Sequence, residues 1–238
     1  MPKILDANRG LEYNKIMQIH ILTLFPEMFK GPLSESIIKR AIEKKLVNIN
    51  IHNLRDYSLD KHKKCDDRPY GGGPGMVLKP EPIFAAVERI TQKKTKGRCK
   101  VILTSPGGKS FNQRLAEELS QLEKIVFICG HYEGVDERVK KLVDEEISIG
   151  RYILSGGELP AMVITDAIVR LIPGVLGCAE SNRQESFAKG DLLDYPQWTR
   201  PAVFRGMRVP EIITSGNHQA IEKWRQQKAK ERTNQRRI

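Results

Sequence analysis

The chain has 238 residues and a mass of 27.1 kDa, with 39% hydrophobic and 29% charged residues, enough for one large α/β domain or for a domain of about 150 residues with a smaller partner. That balance excludes wholesale disorder, a collagen-like repeat and a coiled coil. Forty Lys and Arg against 29 Asp and Glu give a net charge of +11 and a pI of about 9.5, which points to a polyanionic partner because each cation set against a phosphate releases condensed counterions.

Residues 1–16 are polar and contain no apolar core of the signal-peptide kind. They read as an extension outside the fold, or as a start placed too far upstream, because a strand-like run begins at Met17. Residues 17–25 are β-branched and apolar, 34–45 place Ile37, Ile38, Ala41 and Ile42 at helical spacing, and 47–54 alternate as a strand does. Residues 60–75 are charged and then glycine-rich, hence a long loop. Next come a helix at 81–91, a strand at 100–104, a helix at 112–122 and a strand at 125–129. Short apolar strands alternating with amphipathic helices predict an α/β fold, a mostly parallel sheet with helices on both faces. A helix over 135–143, an interrupted strand over 147–154 and a helix over 158–171 complete it. Residues 177–191, rich in glycine, serine and charge, read as a linker. A small basic helical domain, 192–238, follows. From Tyr195 onward there are ten cations and three acids, a net +7, so most of the charge excess lies in the last fifth of the chain and favours a segment that faces nucleic acid.

Cys65, Cys99, Cys129 and Cys178 are 34, 30 and 49 residues apart and form no metal or disulfide pattern, so they read as reduced thiols of a cytoplasmic protein. The most apolar stretch, 161–179, contains Asp166, Arg170, prolines and glycines that spoil a membrane span.

Three glycine-containing loops follow strands, where open α/β sheets bind ligands: residues 104–108, 130–134, and 148–150 with 155–160. Glycine there lets backbone groups approach a flat ligand. The loop at 71–75 lacks a following Gly-Lys-Ser/Thr, and Met76 occupies the last glycine position of a dinucleotide fingerprint, which argues against both phosphate-cradle templates. Before it, Asp66, Asp67, Arg68 and Tyr70 form either a salt-bridged turn or a clamp for a base and its phosphate. Asp166 and Arg170 lie one helical turn apart. They are either an ion pair worth about 0.2–0.5 kcal/mol when exposed, or a functional pair, since a guanidinium buried in an apolar helix needs a reason to be there. His20, His52, His62 and His218 read as structural or exposed, and His131, in a candidate ligand loop, as a site candidate.

With these motifs the sequence resembles the bacterial tRNA (guanine-37-N1)-methyltransferase family. The matching segments are LTLFPEMF (22–29), DDRPYGGGPGM (66–76), ICGHYEGVDERV (128–139), SIG with YILSGGELPAM (148–162), RLIPGVLG (170–177), ESFAKG (185–190), YPQWTRP (195–201) and SGNHQAIEKWR (215–225). The resemblance implies a SPOUT-class α/β fold with a deep C-terminal trefoil knot. A knotted catalytic domain at 17–176 would bind S-adenosylmethionine, and the domain at 192–238 would bind tRNA. It implies an obligate homodimer that transfers a methyl group to N1 of guanine 37, supporting reading-frame maintenance, with Mg2+ as a reaction requirement and with neither DNA nor membrane as a partner. No metal-ligand cluster stands out in the sequence.

By the same resemblance the donor is held by Ser105 and Pro106; by Gly130, Tyr132, Glu133 and Gly134; by Ser148, Ile149, Gly150, Tyr152 and Leu154; and by Gly156, Gly157 and Pro160. Asp66, Arg68, Tyr70, Gly73, Gly75, Ser186, Asp194 and Arg200 would contact RNA. Glu185, where the family usually has Asp, would be the general base, Arg170 would stabilise O6, and Asp166 would orient Arg170. Two alternatives stand beside this reading: an inert RNA-binding or ribosome-assembly protein on the same fold, and a ribose 2'-O-methyltransferase of the same class.

Overall fold

The computed structural model describes residues 16–92, 97–177, 185–188 and 190–236. The proposed extension, apart from Ile16, lies outside the described residues, as do Cys178 and most of the expected linker. Contacts divide the chain after Gly177 into two compact units.

In the first unit, β1 (Met17–Thr23), α1 (Ser36–Glu43) and β2 (Val47–Asn53) open the fold, and β3 (Asp66–Asp67) pairs antiparallel with β4 (Val77–Leu78). Then come α2 (Pro80–Thr91), β5 (Cys99–Ser110), α3 (Gln113–Ser120), β6 (Lys124–Cys129), β7 (Glu145–Ser148) and α4 (Glu158–Val169). The main sheet runs β2-β1-β6-β5-β7 with every pairing parallel.

Strand alternation sends two apolar sets to opposite faces. Ile19, Ile21, Ile125 and Phe127 pack with Ala41 of α1, Leu115 of α3 and Ile164 of α4. Leu22, Val101, Leu103, Val126 and Ile128 pack with Ile83 and Val87 of α2 and with Leu54 and Val139. Each such side chain contributes about 1.5–3 kcal/mol of burial, which is why strands covered on both faces read as continuous apolar runs. Local signals set the helix starts: Pro80 opens α2, and the Asn112 side chain accepts from the Leu115 amide at 2.9 Å before α3.

Three elements differ from the sequence reading. Residues 137–142 form 3-10 turns rather than an α-helix. The Asp136 carboxylate accepts the Arg138 amide at 3.0 Å, and Val139 and Leu142, packed in the core, suit the three-residue period. β7 stops at Ser148, whose hydroxyl donates to the Gly150 carbonyl at 3.0 Å and turns the chain. β5 does not end at Thr104 but resumes to Ser110, because Thr104 and Lys109 both face Ile147 and the four residues between them bulge out.

The second unit contains a β8 (Val203–Phe204) and β9 (Met207–Arg208) hairpin, α5 (Glu211–Thr214) and α6 (His218–Gln235). Ile221 and Ala229 are buried, Trp198 packs on Trp224, and the Arg225 guanidinium lies 4.7 Å from the Tyr195 ring centroid. Seven of its cations, Arg200, Arg205, Arg208, Lys223, Lys230, Arg232 and Arg236, are exposed.

Candidate active site

The carboxyl ends of β5, β6 and β7 enclose a cavity of about 430 Å³, within the usual range for a small-molecule site. Its wall is built from the β5 bulge (Ser105, Pro106), the loop after β6 (Gly130, Tyr132, Glu133, Gly134), the turn after β7 (Ser148, Ile149, Gly150, Tyr152, Leu154) and the entry to α4 (Gly156, Gly157, Pro160). The structure thus brings all fourteen residues proposed for the donor into one cavity. His131 lines it too. So do Glu137, Lys140 and Glu146, which sequence reasoning missed; Lys140 lies 3.0 Å from Glu137 and 3.5 Å from Glu146.

The floor is made where the chain returns from edge strand β7 to the middle of the sheet. The Gly157 amide donates to the Gly130 carbonyl at 2.7 Å, and His131 and Gly156 form an isolated antiparallel bridge. A Cβ on Gly157 would overlap Thr104 Oγ1 and lie 2.9 Å from Cys129 Cα, so backbone packs directly on backbone here. Tyr132 holds a positive φ of 57°, a costly conformation for a bulky side chain that persists only where its surroundings impose it.

The RNA-candidate loop is stitched to this wall. The Glu133 amide donates to the Met76 carbonyl and the Leu78 amide to the Gly134 carbonyl, both at 3.0 Å, and a Cβ on Gly75 would strike the Glu133 side chain. Arg68 and Tyr70 are exposed, Gly73 faces open space, and Asp66 is half-buried. Asp67 accepts the Arg68 amide at 2.8 Å.

The helix carrying Asp166 and Arg170 corrects one expectation. α4 buries Ala161, Ile164, Thr165 and Ile168 but exposes Leu159, Val163 and Asp166, while Arg170 is half-exposed at its C-cap. The pair therefore lies on the outer stripe of the helix, so Arg170 is not a guanidinium sunk in an apolar core. Its position favours the cation, since a helix C-terminus carries partial negative charge.

Glu185 belongs to the second unit and is half-buried. That unit brings Ser186 and Asp194 together, the Ser186 hydroxyl accepting the Asp194 amide at 2.9 Å. Arg232 donates to the Asp194 carbonyl at 2.8 Å and so ties the segment to α6. Arg200 is exposed. Among the described residues no group of three or more His, Cys, Asp or Glu is placed to hold a metal ion, and no helix is long and apolar enough to cross a membrane.

Comparison with known proteins agrees with this geometry. Residues 17–238 match the family described as tRNA (Guanine-1)-methyltransferase TrmD. A tRNA (guanine-N(1)-)-methyltransferase of Dictyoglomus turgidum is 56% identical over 218 residues, 92% of this chain and 87% of that protein. One from Moorella thermoacetica is 57% identical over 222 residues, 93% and 88% of the two chains. A crystal structure of tRNA (m1G37) methyltransferase from Aquifex aeolicus superposes with a TM-score of 0.73 at 44% identity and 88% coverage of both chains. The parallel α/β unit, its backbone-built cavity and a match over nearly the whole length lead to one assignment: this chain belongs to the tRNA (guanine-1)-methyltransferase TrmD family.

Proposed function

We propose that the protein methylates N1 of guanine 37 in tRNA, with S-adenosylmethionine held in the cavity at the carboxyl ends of β5, β6 and β7. The observation that carries the reading is the convergence of three separate glycine loops on that cavity. The residues fit such a donor: an open wall at Gly130, where a Cβ would come no closer than 3.7 Å to another side chain, leaves backbone groups free to meet a flat adenine. When bound, S-adenosylmethionine supplies an electrophilic methyl group on a positively charged sulfur.

The chain's own groups do the rest. Glu185 takes the N1 proton as general base, and the Arg170 guanidinium stabilises the charge that develops on O6. Asp166, one turn from Arg170 on the same helix face, orients it. The loop from Asp66 to Gly75 and the cations of the second unit position the tRNA. The return of the chain from β7 to β6 supports reading this part as a deep trefoil knot. The stripe of Leu159 and Val163, each about half exposed, supports a homodimer, and light scattering should return twice 27.1 kDa; a single-chain mass would overturn it. The cytoplasm is the compartment this substrate implies.

Incubation with labelled methyl donor and unmodified tRNA transcripts, followed by nucleoside mapping, tests the function. 1-Methylguanosine at position 37 is expected, whereas a ribose-methylated product or no incorporation would overturn it. Under single-turnover conditions Glu185→Gln should slow methyl transfer by about 10²–10⁴-fold. A wild-type rate would make Glu185 a charge without a catalytic role.

A further inference from the structure

Glu158, the first residue of α4, is a carboxylate only 1% exposed, and neither the proposed chemistry nor the wall of the cavity uses it. Buried carboxylates need partners, and one left unsatisfied is expensive. Its Oε1 accepts from the Thr23 hydroxyl at 2.8 Å, and the Thr23 hydroxyl in turn accepts the Phe25 amide at 2.8 Å. Among the described residues its Oε2 has no hydrogen-bond partner, and neither has the buried Nδ1 of His131. These two atoms face each other at 3.6 Å.

The surroundings seat this pair against the cavity floor. His131 lines the cavity and is gripped between the Phe25 ring, 4.6 Å between centroids, and the Tyr132 ring at 4.8 Å. Gly156 crosses between the two groups, and a Cβ there would strike both Glu158 Oε2 and His131 Nδ1. One carboxylate therefore touches or faces three separate segments: the exit of β1, the loop after β6 and the entry to α4. The last two supply the floor and one wall of the cavity.

We propose that Glu158 is a positioning residue for the donor site, its carboxylate serving as the common acceptor that holds His131 and the end of β1 in place behind Gly156 and Gly157. This inference rests on the donor-site reading above. Seated by the carboxylate, the imidazole keeps Tyr132 in its positive-φ conformation and Gly130 open to the ligand. The two orphaned atoms close to hydrogen-bond distance when the ring takes the tautomer with the proton on Nδ1, which leaves Nε2 free as an acceptor. Glu158 itself touches no reacting atom.

The experiment is a double-mutant cycle on the full chain, read by calorimetric binding of S-adenosylmethionine and by kcat and KM for both substrates. Glu158→Ala should weaken donor binding by about ten- to a hundredfold, the usual effect of removing a hydrogen-bonded charged partner. KM for the donor should rise while KM for tRNA stays fixed. Glu158→Gln, which keeps shape and an acceptor for Thr23, should recover most of the affinity. His131→Ala should weaken donor binding as well, and the double variant should be no worse than the weaker single one, because each acts through the other. Additive losses, or unchanged donor affinity in a folded Glu158→Ala variant, would overturn the proposal. If Glu158→Ala does not fold, Glu158→Met, which keeps the volume but removes both acceptor oxygens, replaces it in the cycle and is judged by the same criterion of additivity. Absence of donor binding by the wild-type chain would instead remove the donor-site reading itself.

Discussion

His20 Nδ1 and His52 Nε2 lie 2.9 Å apart across β1 and β2, and His52 Nδ1 lies 2.8 Å from the Tyr57 hydroxyl. In each contact one atom must donate and the other accept, so the chain of three groups cannot hold both imidazoles protonated. Burial, then His52, then Lys124 bring the His20 pKa down to about 4, and burial with Arg89 lowers that of His52. In the unfolded chain both return to about 6.5. Between those values the unfolded state binds more protons, so stability is fully present above about pH 6.5 and is lost as pH falls toward 4. The unfolding free energy from urea titrations should fall between pH 7 and pH 4.5, by on the order of 1 kcal/mol for His20 after allowance for solvent screening. His20→Gln should flatten that slope, and a slope identical to wild type would refute the account. Sequence alone leaves these histidines without partners because they are 32 positions apart. Only the parallel register, which sets His52 beside Leu22, brings His52 within reach of His20.

At the scale of elements, glycines that look alike in sequence have different jobs. A Cβ on Gly157 meets Thr104 and the backbone of Cys129 and Gly130, while one on Gly130 meets nothing closer than Val135 Cγ1 at 3.7 Å. Enlarging Gly157 would therefore damage the crossing between α4 and β6 rather than fill ligand space, contrary to what a backbone-approach loop suggests from sequence. Gly157→Ala should cost about 1–3 kcal/mol of stability, as overpacking does, whereas Gly130→Ala should melt like wild type and weaken donor binding. Thermal melts and calorimetry on the two variants separate the effects; a stable Gly157→Ala protein would show that the crossing can relax. The parallel strands were legible because sheets covered on both faces impose continuous apolar runs. The cavity loops were legible because glycine after a strand has few other uses when it recurs three times. The turns at Glu137–Leu142 and the stop after Ser148 were not, since side-chain hydrogen bonds from Asp136 and Ser148 decide them. The burial of Glu158 is hidden in the sequence for a related reason: an acid beginning a helix is ordinarily an exposed partner of the helix dipole.

Across the whole molecule, charge and chemistry are divided. The first unit holds the cavity, whereas the second concentrates exposed cations on the segment from Arg200 to Arg208 and along α6. Surface cations of this kind contribute little to folding, and under the proposed function they serve phosphate recognition, which supplies affinity without reading sequence. The dependence of tRNA affinity on salt measures this directly. Each lost phosphate contact should reduce the slope of log K against log salt by roughly 0.7–0.9. A triple variant Arg205→Gln, Lys223→Gln, Lys230→Gln removes exposed charges that carry no hydrogen bond to the Asp194 segment, unlike Arg232. Its slope should fall by roughly 2–3, with tRNA affinity reduced for all isoacceptors alike. Donor affinity should be untouched, because none of the three lines the cavity. If the slope keeps its wild-type value, the phosphates are met elsewhere, and Lys61, Lys63 and Lys64, exposed beside the loop that holds Arg68 and Tyr70, are the next cations to remove.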